Sequence, residues 1–186
     1  MTNYPSVEQL AEMVRLLTQS RIENWIGEGL GSWRWWTLVI LLIAPWFAWF
    51  KLANKKHFNE LTLFGLIVMV LTITLDELGF MLSFWDYPVD LIPILPRLSS
   101  VDYTVVPIVY MLTFQYFPTW KSFLWALVIV STIFSFLVEP IIVYLGFYVL
   151  IKWLYWYSFI IYIIMGLFAR WILLIIVNIT QKANLK

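Results

Sequence analysis

From Trp33 onward the chain is a succession of long apolar runs separated by short polar breaks, and before Trp33 it is not. In the first part, Val7, Leu10, Val14, Leu17 and Arg21 recur every three or four residues, which predicts an amphipathic helix over residues 6–26. Pro5 and Ser6 are start signals, and Gly27, Gly29 and Gly31 break the pattern. Such a helix lies on a membrane surface or packs over a bundle.

The apolar runs predict five membrane spans near residues 35–52, 61–83, 101–117, 119–145 and 154–178, with six as the alternative count, since about 20 apolar residues cross a bilayer. Pro45 and Pro107 fall inside the first and third spans, and Pro45 is expected to kink the first. Glu139-Pro140 is expected to interrupt the fourth. Three prolines between Phe84 and Arg97 exclude a regular helix there and place that segment at the interface or as a re-entrant loop. The organisation is therefore an interfacial unit over 1–32, a transmembrane bundle over 33–180 and a polar tail over 181–186. The fold class is all-α, a polytopic helical bundle in a membrane.

Composition strengthens this. The 186 residues are 62% hydrophobic and 12% charged, against about 25% charged in soluble domains. With no cysteine and one histidine, His57, disulfides, thiolate chemistry and imidazole metal clusters are excluded, and neither a cofactor nor a metal is expected. A net charge of +1 gives no footprint for nucleic acid. The acidic, coreless start is not a cleavable signal peptide. Near the span ends, Arg34, Arg97 and Lys152 fall on one side and Lys51, Lys55, Lys56, Lys121, Lys182 and Lys186 on the other. That excess places the C-terminus in the cytoplasm.

The chemistry of interest is acidic. Asp76, Glu77 and Glu139 sit inside apolar spans, where an ionised group costs about 2.5–3.5 kcal/mol on insertion scales. Helical spacing gives three small or polar stripes: Gly65, Met69, Thr72, Asp76, Gly79 and Ser83; then Ser131, Ser135 and Glu139; then Ser158, Tyr162, Gly166 and Arg170. Asp76 shares the first stripe and Glu77 points about 100° away. With Asp102 and the loop acids Asp86 and Asp90, six acids gather near one face against two bases, Arg97 and Lys152. Either some of these acids hold protons, or a bound cation compensates them, or ion pairs and tyrosines satisfy them. Nearby aromatics (Trp85, Tyr87, Tyr103, Tyr144, Tyr148, Trp153, Tyr155, Trp156, Tyr157) form an interfacial belt or line a pocket. Arg170, on the far side of the midplane, is a snorkelling or helix-pairing residue rather than a partner for the acids.

The run from Asp86 to Pro107, followed by Phe117-Pro118 and Glu139-Pro140, resembles a family of small multi-pass membrane proteins of endospore-forming Bacillus and Clostridium relatives. The resemblance covers most of the chain from residue 35 on. It implies a bacterial plasma membrane and a sporulation context, and transfers no catalytic residue. Glu139-Pro140 followed by Gly146-Phe-Tyr148 and Trp153 is similar, over a handful of residues, to integral-membrane carotenoid cyclases.

Three functions follow as expectations. The first is an outward-facing pocket for a cation or small polar ligand, built from Asp76, Glu77, Asp102 and Glu139 with Arg97 and Lys152 as counter-charges, and related to transport. The second is an intramembrane enzyme in which a protonated Glu139 or Asp76 acts as general acid on an isoprenoid or lipid. The third is a structural subunit of a membrane complex. The bilayer is the expected partner, with a homo-oligomer through Gly65 and Gly79 or a complex partner beside it.

Overall fold

Within lipid only helices and closed barrels satisfy the whole backbone, and the long continuous apolar runs of this chain form helices. The computed structural model describes residues 4–94 and 98–184. α1 spans Val7–Asn24 and opens with a reciprocal cap in which Ser6 and Gln9 satisfy each other's backbone N–H. None of its residues is buried, and its apolar face (Val7, Leu10, Val14, Leu17) is open. A π turn, Trp25–Gly29, ends it.

α2 (Trp33–Leu52), α3 (Phe58–Met81), α4 (Val106–Tyr116), α5 (Trp120–Ile133), α6 (Glu139–Tyr144) and α7 (Tyr155–Asn184) make the bundle. Among the described residues, four stretches, Trp33–Leu52, Lys55–Met81, Trp120–Tyr144 and Tyr155–Ala183, are long and apolar enough to cross a membrane, and the protein is a membrane protein. The third expected span, 101–117, is helical but differs from the other four. Its π turn (Val101–Val105) and α4 carry Asp102, Tyr103, Thr104 and Gln115, and most of α4 is buried between its neighbours.

Pro45 lies inside α2, which continues as helix through it. Glu139-Pro140 does not interrupt the fourth span, because a π turn over Phe134–Val138 joins α5 to α6 just before the proline. Val101–Val105 does the same before Pro107. A widened turn absorbs the backbone bond that proline cannot make.

The proline-containing segment after α3 forms no helix, as expected, and its start makes half of a lid. β1 (Trp85–Asp86) pairs antiparallel with β2 (Val149–Leu150), joining the connection after α3 to the one after α6. Side chains alternate across β1 and beyond it: Trp85, Tyr87 and Val89 are buried, while Asp86 and Pro88 are exposed. The indoles of Trp25 and Trp35 both donate to the carbonyl of Leu91, at 3.2 and 3.0 Å, and pin the lid to the end of α1 and to α2. Gly146 closes α6 at φ +75°, and a Cβ there would meet Arg34 Nη2 at 2.9 Å. Glycine takes this conformation without strain, whereas another residue would be strained there and would also have to displace the tip of Arg34.

Two apolar cores result. The larger, around Trp49, Phe64, Tyr110, Phe123, Leu127 and Leu173, ties α3, α4, α5 and α7 together. The smaller, around Leu38, Trp85, Tyr87, Phe147 and Tyr148, lies under the lid. Gly65 and Gly79, expected on an oligomer interface, are buried inside this chain. A Cβ on Gly65 would sit 2.5 Å from Met111 Sδ, and one on Gly79 would collide with the ring of Trp85. Their missing side chains admit α4 and the lid rather than a second copy.

Candidate functional site

Between the two cores lies a cavity of about 350 Å³, lined by residues of α2, α3, the Val101–Val105 turn, α4, α6, α7 and the lid. Asp76, Asp102 and Glu139 all line it. Asp102 stands on the π turn Val101–Val105, and Glu139 directly follows the π turn Phe134–Val138. Such turns rotate the residues after them relative to a regular helix. Here they accompany two of the three acids.

Asp76 comes inward on the α3 stripe with Thr72 and Gly79, both buried. Trp85 Nε1 donates to its Oδ1 at 3.1 Å, and the Tyr87 hydroxyl donates to the same oxygen. Asp102 is 4% exposed, and its carboxyl lies within hydrogen-bonding reach of that of Asp76. Both groups are acceptors when ionised, and Oδ2 of each is buried without a hydrogen-bond donor. An unmet buried carboxylate oxygen is costly, so this end of the cavity lacks donors.

Glu139 is satisfied. Ser158 Oγ donates to Oε2 at 2.9 Å, and Tyr162 Oη donates to Oε1 at 2.9 Å. Trp153 Nε1 in turn donates to Ser158 Oγ at 2.9 Å, which fixes the direction of the serine proton toward Glu139. The α7 stripe therefore supplies donors to the acid of α6. Tyr148 stacks on Tyr87 with ring centres 5.3 Å apart, and Trp85 meets Trp153 edge-on at 4.9 Å, so one aromatic roof covers both groups. Buried within this roof and beside Asp76 and Asp102, the Tyr87 phenol is pushed well above its ordinary range and stays a proton donor.

The remaining expected site residues fall elsewhere. Glu77 is half-buried on α3 and does not line the cavity, because it follows Asp76 by one position. Lys152 is exposed and lines no part of the cavity; its backbone N–H donates to Phe84 O. Arg97 lies outside the described residues. Among the described residues, the ion pairs are Arg15–Glu12 and His57–Glu60, and neither touches the cavity. Nor do three His, Asp or Glu side chains there form a group able to hold a metal. Asp86 and Asp90 border a second, polar recess with Arg21, Glu28 and Arg34, and Tyr87 forms the wall between the two. Burial and the charges of Asp86 and Asp76 push Asp90 up to about 7, against the opposing pull of Arg21.

The aromatics divide. Trp85, Tyr87 and Tyr148 are buried in the roof and Trp153 is partly so, while Tyr144, Trp156 and Tyr157 are exposed as in a belt. Arg170 is buried at the other end, where its guanidinium donates to the carbonyls of Phe117, Pro118 and Thr119 and faces the rings of Trp120 and Phe123. It clasps the α4–α5 turn. The donors Trp85 and Tyr87 are the part of the site that residue spacing did not assign. The signal was there as the alternation Trp85, Tyr87, Val89, which is a strand pattern.

No family model, curated protein or solved structure matches this chain.

Proposed function

We propose that this is a bacterial plasma-membrane protein, its acid-bearing end outward and its C-terminus cytoplasmic, whose cavity binds a small molecule through an ammonium or similarly N–H-rich cationic group. The observation that carries this reading is the pair of buried, donor-less oxygens on Asp76 and Asp102. A cationic N–H group supplies both the missing hydrogen bonds and the missing charge. The aromatic roof adds ring faces suited to a cation. The absence of a metal-type ligand group among the described residues favours an organic cation over a metal ion.

The test is calorimetric titration of ethylamine into the purified protein. Wild type binds, and Asp102→Asn weakens binding by about tenfold or more, a loss of about 1.4 kcal/mol. Equal affinity in both overturns the reading.

A second reading, in which a carboxyl group acts as general acid on an isoprenoid or lipid, draws on the wall itself. Apart from the three acids, Thr72 and Ser158, the cavity is lined by aliphatic and aromatic side chains and a glycine. Turnover of an added isoprenoid that is abolished by Glu139→Gln would favour it.

A further inference from the structure

We infer that the ligand is a membrane-dissolved amphiphilic amine, an ammonium on a hydrocarbon body, and that it enters sideways from the bilayer past α3 and α6. This rests on the reading of the aspartate pair as an ammonium site and adds its substrate class and route.

The walls specify the body. A bare ammonium in this cavity would leave leucine, valine, isoleucine, phenylalanine and methionine surface facing water. A hydrocarbon tail covers that surface, and each buried methylene strengthens binding by about fourfold. The walls also specify what the head is not. No lysine, arginine or histidine lines the cavity, so a phosphate headgroup finds no counter-charge among the described residues.

The route follows from exposure. The top is roofed by Trp85, Tyr87 and Tyr148, each under 9% exposed. On the α3 side, Leu75, Leu78 and Leu82 line the cavity and are 37%, 54% and 59% exposed. On the α6 side, Val138 lines it and is 37% exposed. Leu75, Leu78 and Val138 belong at once to the cavity and to the exposed surface of two helices long and apolar enough to cross a membrane, with Leu82 just past the end of the first, so the open flank faces acyl chains. A molecule dissolved in the bilayer reaches Asp102 there without lifting the roof.

The experiment compares octylamine with ethylamine on the full chain in phosphatidylcholine nanodiscs. Leu78→Trp and Leu82→Trp each place a ring at the lip, on an exposed position that tolerates it. We expect them to weaken octylamine by about tenfold or more while ethylamine changes by less than about twofold. Asp102→Asn weakens both amines. If octylamine is indifferent to both tryptophans yet sensitive to Asp102→Asn, the lateral route is overturned and the ammonium site survives. If neither amine responds to Asp102→Asn, both proposals fall. Independently of those variants, a diazirine-bearing alkylamine should label wild type within residues 75–82 and 138–142. Labelling confined to the lid, within 84–94 and 146–153, contradicts the route.

Discussion

The phenol of Tyr87, carried by the lid, donates its hydroxyl to Asp76 of α3, and this bond ties the roof of the cavity to its acidic wall. Trp85 reaches the same oxygen from two residues earlier, so the lid presents two donors to one acceptor. The pairing of β1 with β2 extends that tie to the connection after α6, and hence to the neighbourhood of Glu139.

Tyr87→Phe keeps the ring that stacks on Tyr148 and removes only the hydroxyl. Thermal unfolding in detergent should show a loss on the order of 1–2 kcal/mol. Tyr87→Ala, which also removes the stacked ring, should cost more. Wild-type stability in Tyr87→Phe would mean that the hydroxyl bond contributes nothing.

Gly79→Ala should destabilise, because the new methyl group occupies the position of the Trp85 ring. Overpacking of about 1–3 kcal/mol outweighs the gain of about 1 kcal/mol that alanine brings to a helix. The particle size by light scattering should stay that of wild type, since the glycine faces the lid. A change of oligomeric state would return Gly79 to an intermolecular role.

Arg170→Met keeps the bulk of the side chain and leaves the carbonyls of Phe117, Pro118 and Thr119 without their donor, at a cost on the order of 3 kcal/mol. Arg170→Lys should recover only part, because an ammonium cannot reproduce the planar fork. Unfolding midpoints of the two variants check this. Amine binding at the distant acid end should be unchanged in the folded protein.

Asp90 gives a dependence on pH. Its folded value of about 7 lies above the ordinary 3.8, so the folded protein holds this proton more tightly than the unfolded chain does. The stability it contributes is present below the unfolded value and is lost as pH rises through about 7. Wild type should therefore unfold at a lower temperature at about pH 8 than at about pH 6, and Asp90→Asn should flatten that slope. A slope unchanged in the variant assigns the effect to another group.

Much of the bundle was legible because lipid leaves the chain few options. The apolar runs located the helices, and the three- and four-residue spacing put Thr72, Asp76 and Gly79 on one face, as it did Ser131, Ser135 and Glu139. What spacing missed depends on contacts between distant segments. The alternation Trp85, Tyr87, Val89 could mark one strand of the lid, but its partner could not be read locally, because the lid exists only where Trp85–Asp86 finds Val149–Leu150. The π turns were hidden because the prolines that follow them read locally as interruptions, whereas the helix absorbs each by widening before it. Lys152 looked like a counter-charge by depth alone, but its side chain is exposed and lines no part of the cavity. Gly79 looked like an interface for another helix until Trp85 filled it.

The sharpest contrast in the protein is between Asp76 and Glu77, neighbours on α3 of which only the first lines the cavity. Octylamine affinity measured for Asp76→Asn and Glu77→Gln tests the acidic cavity most directly. The account predicts that the first variant loses about tenfold or more, while the second stays within about twofold of wild type. Equal affinities in all three proteins, or a loss confined to Glu77→Gln, would contradict it.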